Sequence, residues 1–276
     1  MKRDKIKIIF TDLDRTLLWD DNTISEKNLA ALKNLKERGI IIVIATGRNI
    51  FSTRKVLNVS HPFDYLMFSS GCGIMDWKSQ KVIYENHLEA WEINKTMNIL
   101  LARKTDFMIQ CPIPQNHCFY FFRENKNNAD FERRIELYKS FAKPLEEPPE
   151  NASQFIAILK PDSDKKFHKI KNEINFLKVI RATSPLDHKS IWLEVFPNGV
   201  SKGHSAQWLC KRLGMEQIQT LSIGNDFNDI DLLEWTAQSY VVENSPQELK
   251  KRFLVTKSNE QNGFAEVVEK EFNFDS

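Results

Sequence analysis

Residues 6–18 read Ile6-Lys7-Ile8-Ile9-Phe10-Thr11-Asp12-Leu13-Asp14-Arg15-Thr16-Leu17-Leu18. Ile6 to Thr11 is a nearly continuous β-branched and aromatic run, the pattern of a strand covered on both faces. It stops at two carboxylates. Ser25 then reads as a helix N-cap, with Ile24 before it and Leu29 after it placed to form a hydrophobic staple. The predicted helix carries Leu29, Ala31, Leu32 and Leu35 on one side and ends at Gly39 in the C′ position. Ile40 to Ala45 follows as a second buried strand. Strand, helix and strand joined by short loops make a βαβ unit with parallel pairing, whose right-handed crossover places the helix on one face of a sheet.

The C-terminal part repeats this rhythm. Helices are predicted near 202–213, 228–236 and 247–251, and strands at 220–223, 239–242 and 253–255. Both ends of the chain therefore belong to one α/β, doubly wound, mostly parallel, Rossmann-like core. The middle differs: a long helix (88–103), strands 107–110 and 118–122, a helix near 131–141, a Pro-rich turn (144–149), strand 155–159, helix 165–176 and strand 178–182. Strands beside strands, with helices on one side, predict an inserted α+β domain with an antiparallel sheet. The expected division is 1–83 with 190–276 for the core and 84–189 for the insertion.

A chain of 276 residues with 41% apolar and 28% charged residues can bury a sizeable core, which excludes the disordered and low-complexity classes. Lys and Arg number 39 against 37 Asp and Glu, too balanced for the basic stripe of a nucleic-acid binder. No nucleic-acid partner is expected, so an anionic ligand must be met by a local site. The longest apolar run, Ile40 to Ala45, is far short of a membrane span of about 20 residues. The N-terminal residues lack the apolar stretch of a secretory signal. The four cysteines (72, 111, 118 and 210) show neither a C-x-x-C pair nor the density of a disulfide scaffold. A cytoplasmic protein with reduced thiols is expected, with Cys111 and Cys118 inert rather than a redox pair, and a monomer or weak homo-oligomer as its state.

Four segments fall at the carboxyl ends of predicted strands, where open α/β sheets place their ligands. Asp12 and Asp14, two residues apart in extended chain, can aim both carboxylates one way; a polar strand end with Asp14 starting a turn fits equally well. Thr46-Gly47-Arg48 follows the second strand and reads by itself as a strand-to-helix turn. Lys202 opens a helix, where its ammonium and the backbone N–H groups can hold an anion. Gly224-Asn225-Asp226-Phe227-Asn228-Asp229-Ile230-Asp231 collects oxygen donors suited to a hard divalent cation, although an Asx-rich helix cap would account for Asn228.

In this order and at these strand ends, the segments resemble the haloacid dehalogenase superfamily of aspartate-nucleophile phosphotransferases, and within it the Cof-like sugar-phosphatase branch with a large α/β cap. The resemblance rests on 8–18, Ala45-Thr46-Gly47-Arg48, Asn198-Gly199-Val200-Ser201-Lys202-Gly203 and 224–229. Ser69-Ser70-Gly71-Cys72-Gly73-Ile74 matches the segment leading towards the cap. It implies a phosphatase of a small phosphorylated metabolite, expected to be a sugar phosphate, with the inserted domain as its specificity cap. Asp12 would be the nucleophile and Asp14 the acid and base, with a carboxyl kept protonated near neutral pH. Thr46, Gly47, Arg48, Lys202 and Asn228 would hold the phosphoryl group. Magnesium would be the cofactor, held by Asp12, Asp14 and a choice among Asn225, Asp226 and Asp229.

This chain departs from the family pattern twice. Arg15 stands where the family usually has Gly, so a positive φ is not expected there. Asn225 stands where the family has a metal-ligating Asp, and its neutral amide should weaken magnesium binding, with Asp226 or Asp229 as possible compensation. A phosphosugar mutase of the same fold and a catalytically weak phosphate-ligand-binding regulatory protein are the competing expectations.

Overall fold

The first strand, β1 (Ile8–Thr11), is buried along its whole length. It pairs in parallel with β2 (Ile41–Ala45) across helix α1 (Glu26–Glu37). These elements come from a computed structural model that describes residues 6–124 and 127–272; the charged N-terminal residues 1–5 lie outside the described residues. The predicted caps are in place. Ser25 Oγ accepts from the Asn28 N–H at 3.0 Å, and Gly39 takes φ 71° just past the helix end.

After α2 (Ile50–Thr53) come β3 (Tyr65–Phe68), β4 (Gly73–Asp76) and β5 (Lys81–Glu85). The chain returns through α6 (Lys202–Leu213), β14 (Thr220–Gly224), α7 (Ile230–Trp235), β15 (Gln238–Val242), α8 (Gln247–Lys250), β16 (Leu254–Thr256) and α9 (Gly263–Phe272). The eight strands lie in the order β16-β15-β14-β1-β2-β3-β4-β5. All pairings from β16 to β3 are parallel, and β3–β4 is antiparallel. Counted without the intervening segment, the parallel strands run 3-2-1-4-5-6, the doubly wound Rossmann order, and the strand sequence reverses between β1 and β14.

Strand alternation sorts the core. Ile8, Phe10, Val43, Ala45 and Met67 pack with Ala206, Leu209 and Cys210 of α6 and Leu232 of α7. Ile9, Ile42 and Ile44, equally buried, point to the other face. There α1 packs on β2, and α9 packs on α1, β15 and β16. The buried Asn28 ties this layer together, donating to the Leu17 carbonyl (3.1 Å) and accepting from the Ala265 N–H (3.2 Å).

The second unit contains β6 (Leu88–Glu89), α3 (Ala90–Ala102), β7 (Phe107–Gln110), β8 (Phe119–Phe122), α4 (Ala129–Leu137) and β9 (Ala142–Pro144). It continues with β10 (Asn151–Ala152), β11 (Gln154–Leu159), α5 (Asp164–Glu173), β12 (Lys178–Thr183) and β13 (Ile191–Phe196). Six strands form a sheet in the order β12-β13-β11-β7-β8-β9, and β6 pairs separately with β10. Ile93 and Leu100 of α3 and Phe167 and Ile170 of α5 pack on Phe107, Ile109, Phe155, Ala157, Leu193 and Val195, all on one face.

The observed architecture departs from the expected insertion in three ways. The β8–β9 pair is parallel. Helix α4 lies on the face opposite α3 and α5: Trp192 Nε1 donates to Asp130 at 2.8 Å, and the Arg134 guanidinium stacks 4.7 Å from the Trp192 ring. The boundary also moves, because β13, expected to open the returning core, pairs with both β11 and β12. The two compact units are therefore Met1–Tyr84 with Ser201–Ser276, and Glu85–Val200. An apolar strand joins whichever sheet satisfies its hydrogen bonds, and its own sequence does not name that sheet. Among the described residues no helix is long and apolar enough to cross a membrane.

Candidate active site

The strand order reverses between β1 and β14, where open α/β sheets place their ligands, and the predicted site residues gather at these carboxyl ends. Asp12 follows β1 directly, its N–H donating to the Ile223 carbonyl of β14 at 2.8 Å. Lys202 is the first residue of α6, a helix capped by Ser201, whose Oγ accepts from the His204 N–H at 3.2 Å. The ammonium of Lys202 reaches Asp12 Oδ1 at 2.7 Å and Asp229 Oδ1 at 2.5 Å. Lys202 and Asp229 are 0% exposed and Asp12 is 5% exposed.

One lysine thus serves two buried carboxylates. Burial alone would push the Lys202 ammonium down, but Asp12 and Asp229 hold it above the ordinary lysine range. Burial pushes Asp12 up to about 7, against the opposing charge of Lys202 and with added repulsion from Asp229 and Asp14. Burial in this site thus favours the protonated form of Asp12 relative to an exposed carboxyl.

Asp229 is placed by the loop it closes. Its Oδ2 accepts from the N–H groups of Asn225 (2.8 Å) and Asp226 (3.1 Å), while Oδ1 takes Lys202. Three of roughly four acceptor positions on this carboxylate are occupied by the protein, so Asp229 fixes Lys202 and the loop and keeps one position for any other partner. Two close approaches permit this arrangement. A methyl group on Gly224 would lie 2.7 Å from the Asp229 side chain, and one on Gly203 would lie 2.3 Å from the Asp231 carbonyl, where α6 crosses α7.

Asp14 is held by Arg48. The guanidinium Nε lies 2.9 Å from both carboxylate oxygens, and Nη2 lies 2.5 Å from Oδ1. Arg48, expected among the phosphate-binding groups, is thus paired with the expected acid in this structure. Its Nη2 also donates to Asn22 at 2.7 Å and its Nη1 to the Ser52 carbonyl at 3.3 Å. Thr46 is fully buried at the end of β2, and its hydroxyl accepts from the Arg48 N–H at 3.0 Å. Gly47 lies beside Asn228 and Ser70: a methyl group there would meet Asn228 Nδ2 at 3.5 Å and Ser70 Oγ at 3.6 Å. Gly47 and Asn228, far apart in sequence, therefore converge, with Thr46 next to Gly47 in the chain.

Arg15 contradicts its expectation. It adopts φ 56° and ψ 22°, the left-handed conformation that glycine takes without strain. The turn between Asp14 and Thr16 requires this geometry whatever residue fills it. Asn244 secures it by donating to the Arg15 carbonyl at 2.9 Å, while the exposed guanidinium lies 3.5 Å from Asp20. Asn244, Asn22 and Ser70 carried no signal as site residues in the sequence, since each acts through a contact with a distant segment.

Besides Asp229, the oxygens that could serve a cation are the Asp12 carboxylate, the Asp14 main-chain carbonyl, the Asn225 amide and the Asp226 carboxylate, which also accepts from the Asp229 N–H. All are hard oxygens. Among the described residues no three side chains of the His, Cys, Asp or Glu type gather on one point. Such a set suits Mg²⁺, which keeps several waters and completes its octahedron with substrate phosphate, and it lacks the thiolate and imidazole donors that select zinc or copper.

Comparison with known proteins agrees with this geometry. A "Putative phosphatase" of Streptococcus pyogenes is 27% identical over 280 residues, covering 96% of this chain and 98% of that protein. The solved structure of the phosphatase BT1666 of Bacteroides thetaiotaomicron superposes with a TM-score of 0.80 at 18% identity, covering 97% of this chain and 96% of that one. The sugar phosphatase BT4131, of haloacid dehalogenase subclass IIB, superposes at 0.73 with 17% identity, covering 97% and 99%. At these identities the two structures show the shared fold. The family model for haloacid dehalogenase-like hydrolases matches residues 9–268, from the middle of β1 into α9, and the chain belongs to that family of enzymes.

Proposed function

We infer that the protein is a magnesium-dependent phosphatase of small phosphorylated metabolites, sugar phosphates first among them, that works through an aspartyl phosphate. The observation that carries this reading is the buried Asp12–Lys202–Asp229 triad at the strand reversal. A carboxylate aimed out of a strand end and fixed by a buried ammonium suits a nucleophile held in one orientation. The phosphatase names of the relatives and structural neighbours point the same way, and that of BT4131 supports the sugar class.

Electrostatics sets the requirement. Two unit charges 4 Å apart repel by about 4 kcal/mol at an effective dielectric of about 20, so a phosphate dianion meets a large barrier beside Asp12. Lys202 supplies one positive charge. Mg²⁺, when held by Asp12, the Asp14 carbonyl, Asn225 and Asp226, supplies the rest and favours the ionised Asp12. The phosphoryl group would be seated by Thr46, the Gly47 N–H, Asn228 and Lys202.

In the first displacement the Asp12 oxygen forms a bond to phosphorus, the bond from phosphorus to the leaving oxygen breaks, and that oxygen takes a proton from Asp14. In the second, Asp14 accepts a proton from water, the water oxygen bonds to phosphorus, and the Asp12–phosphorus bond breaks. Arg48 must let go of Asp14 for this to happen. An incoming phosphate dianion competes for the same guanidinium and frees the carboxyl at the moment it is needed. The unit from Glu85 to Val200 would select the substrate, and the enzyme would meet it in the cytoplasm.

The test is phosphate release from p-nitrophenyl phosphate and a panel of sugar phosphates, with and without Mg²⁺, for the native protein and Asp12→Asn. Release that needs the metal and disappears in the variant is expected. Metal-independent release, or release that survives Asp12→Asn, overturns the reading; isomerisation of a sugar phosphate without phosphate release points to a mutase.

A further inference from the structure

The four cysteines fall into two kinds. Cys72 and Cys210 are buried in the first unit, and burial pushes the Cys210 thiol up to about 12. Cys111 and Cys118, in the second unit, are both partly exposed.

Their placement is set by the β7–β8 ladder. The register runs from Phe107 opposite Phe122 to Gln110 opposite Phe119, and one further step puts Cys111 directly opposite Cys118. The ladder does extend that far, since the Cys111 N–H donates to the Cys118 carbonyl at 2.9 Å. Residues facing each other across a hydrogen-bonded antiparallel pair have Cα atoms about 5.5 Å apart and side chains on the same face. That separation lies inside the window of about 4.4–6.8 Å between the Cα atoms of disulfide-bonded cysteines.

The connecting turn is already formed. The Gln115 N–H donates to the Pro112 carbonyl and the Cys118 N–H to the Gln115 carbonyl, each at 2.9 Å, and the Ile113 N–H donates to His87 Nε2 at 3.0 Å. These bonds hold the two ends of the turn, and with them the two cysteines, opposite each other. The two sulfurs are electrostatic neighbours: a thiolate at Cys118 opposes ionisation of Cys111, while the Lys143 ammonium favours the thiolate at both. Burial outweighs that help and holds both thiols above the ordinary cysteine range.

We propose that Cys111 and Cys118 form a dithiol modification site that hydrogen peroxide closes to an intramolecular disulfide, stapling the turn 112–117. The thiolate of one cysteine attacks a peroxide oxygen, the O–O bond breaks, and a sulfenic acid and one water result. The second thiol attacks the sulfenic sulfur, forms the S–S bond and releases a second water. Two thiols give up two electrons to one peroxide, and a dithiol reductant reverses the product.

The test uses the full-length protein, treated with peroxide, capped with iodoacetamide under denaturing conditions and digested with trypsin. One peptide, residues 105–123, holds both cysteines. It should lose two hydrogens in mass and take up no iodoacetamide, while Cys72 and Cys210 remain fully alkylated; dithiothreitol before capping should restore two alkylatable thiols. In Cys111→Ser, Cys118 should stop at a sulfenic acid that dimedone traps. Uptake of two iodoacetamides after peroxide, oxidation of each cysteine to a sulfinic acid without a disulfide, or cross-linked dimers in place of the internal bond would each overturn the proposal.

Discussion

Replacing Lys202 by methionine removes the cation that Asp12 and Asp229 share at 2.7 and 2.5 Å while nearly keeping the side-chain volume. Breaking a buried ion pair by deleting one partner costs about 3–5 kcal/mol, because the other charge stays buried without compensation. For a cooperative unit of this size, about 2–4 °C of melting temperature corresponds to each kcal/mol, so Lys202→Met should melt about 6–20 °C below the native protein near pH 8. The deficit should depend on pH. Asp12 is raised from its ordinary value of 3.8 to about 7, so the stability of its protonated form is fully present below about 4 and is lost as pH rises through 7. Without Lys202 to oppose that shift, the variant suffers most at alkaline pH and recovers as Asp12 takes up its proton. Scanning fluorimetry from pH 5 to pH 8 follows this. A drop of less than about 2 °C at pH 8, or a deficit that is the same or larger at pH 5, would refute the reasoning.

Three other changes probe separate parts of the site. Arg48→Ala should raise KM for every phosphate monoester about tenfold or more, the worth of a charged hydrogen bond to the incoming dianion; an unchanged KM would mean that Arg48 serves Asp14 alone. Asn225→Asp adds a charged oxygen to the proposed cation site and should lower the Mg²⁺ concentration for half-maximal activity about tenfold; no change would place Asn225 outside the metal's shell. Arg15→Gly relieves a left-handed backbone costing about 1–2 kcal/mol, offset by about 0.5–1 kcal/mol of glycine entropy. It should leave the melting temperature unchanged or raised by a few degrees, since the exposed pair with Asp20 contributes little; a clear drop would show the side chain to be structural.

Much of the fold was legible because local chemistry agreed with global packing. Ser25 and Gly39 bracket α1, and the apolar runs at 8–11 and 41–45 could only be buried strands. The helix expected near 202–213 runs from Lys202 to Leu213. What escaped was set by contacts between distant segments. Ile191–Phe196 is an apolar strand that would suit either sheet, and only its pairing with β11 and β12 decides. Arg15 carries no signal of a positive φ, because the turn that imposes it is fixed by Asn244, 229 residues away. The four motifs named the residues at the site but not their partners. In sequence Asp229 reads as one of several acids open to a cation, while in the structure its oxygens also hold Lys202 and the loop N–H groups. Asp14 and Arg48 looked like independent groups until they were found paired.

The proposed mechanism phosphorylates Asp12 during turnover. The most direct measurement is acid quenching during steady-state hydrolysis of a sugar phosphate with Mg²⁺, followed by peptide mass spectrometry. One phosphoryl group is expected on the peptide carrying Asp12, removed by hydroxylamine and absent from Asp12→Asn. Phosphate release with that peptide unmodified at every quench time, or with the phosphoryl group on another residue, would contradict it.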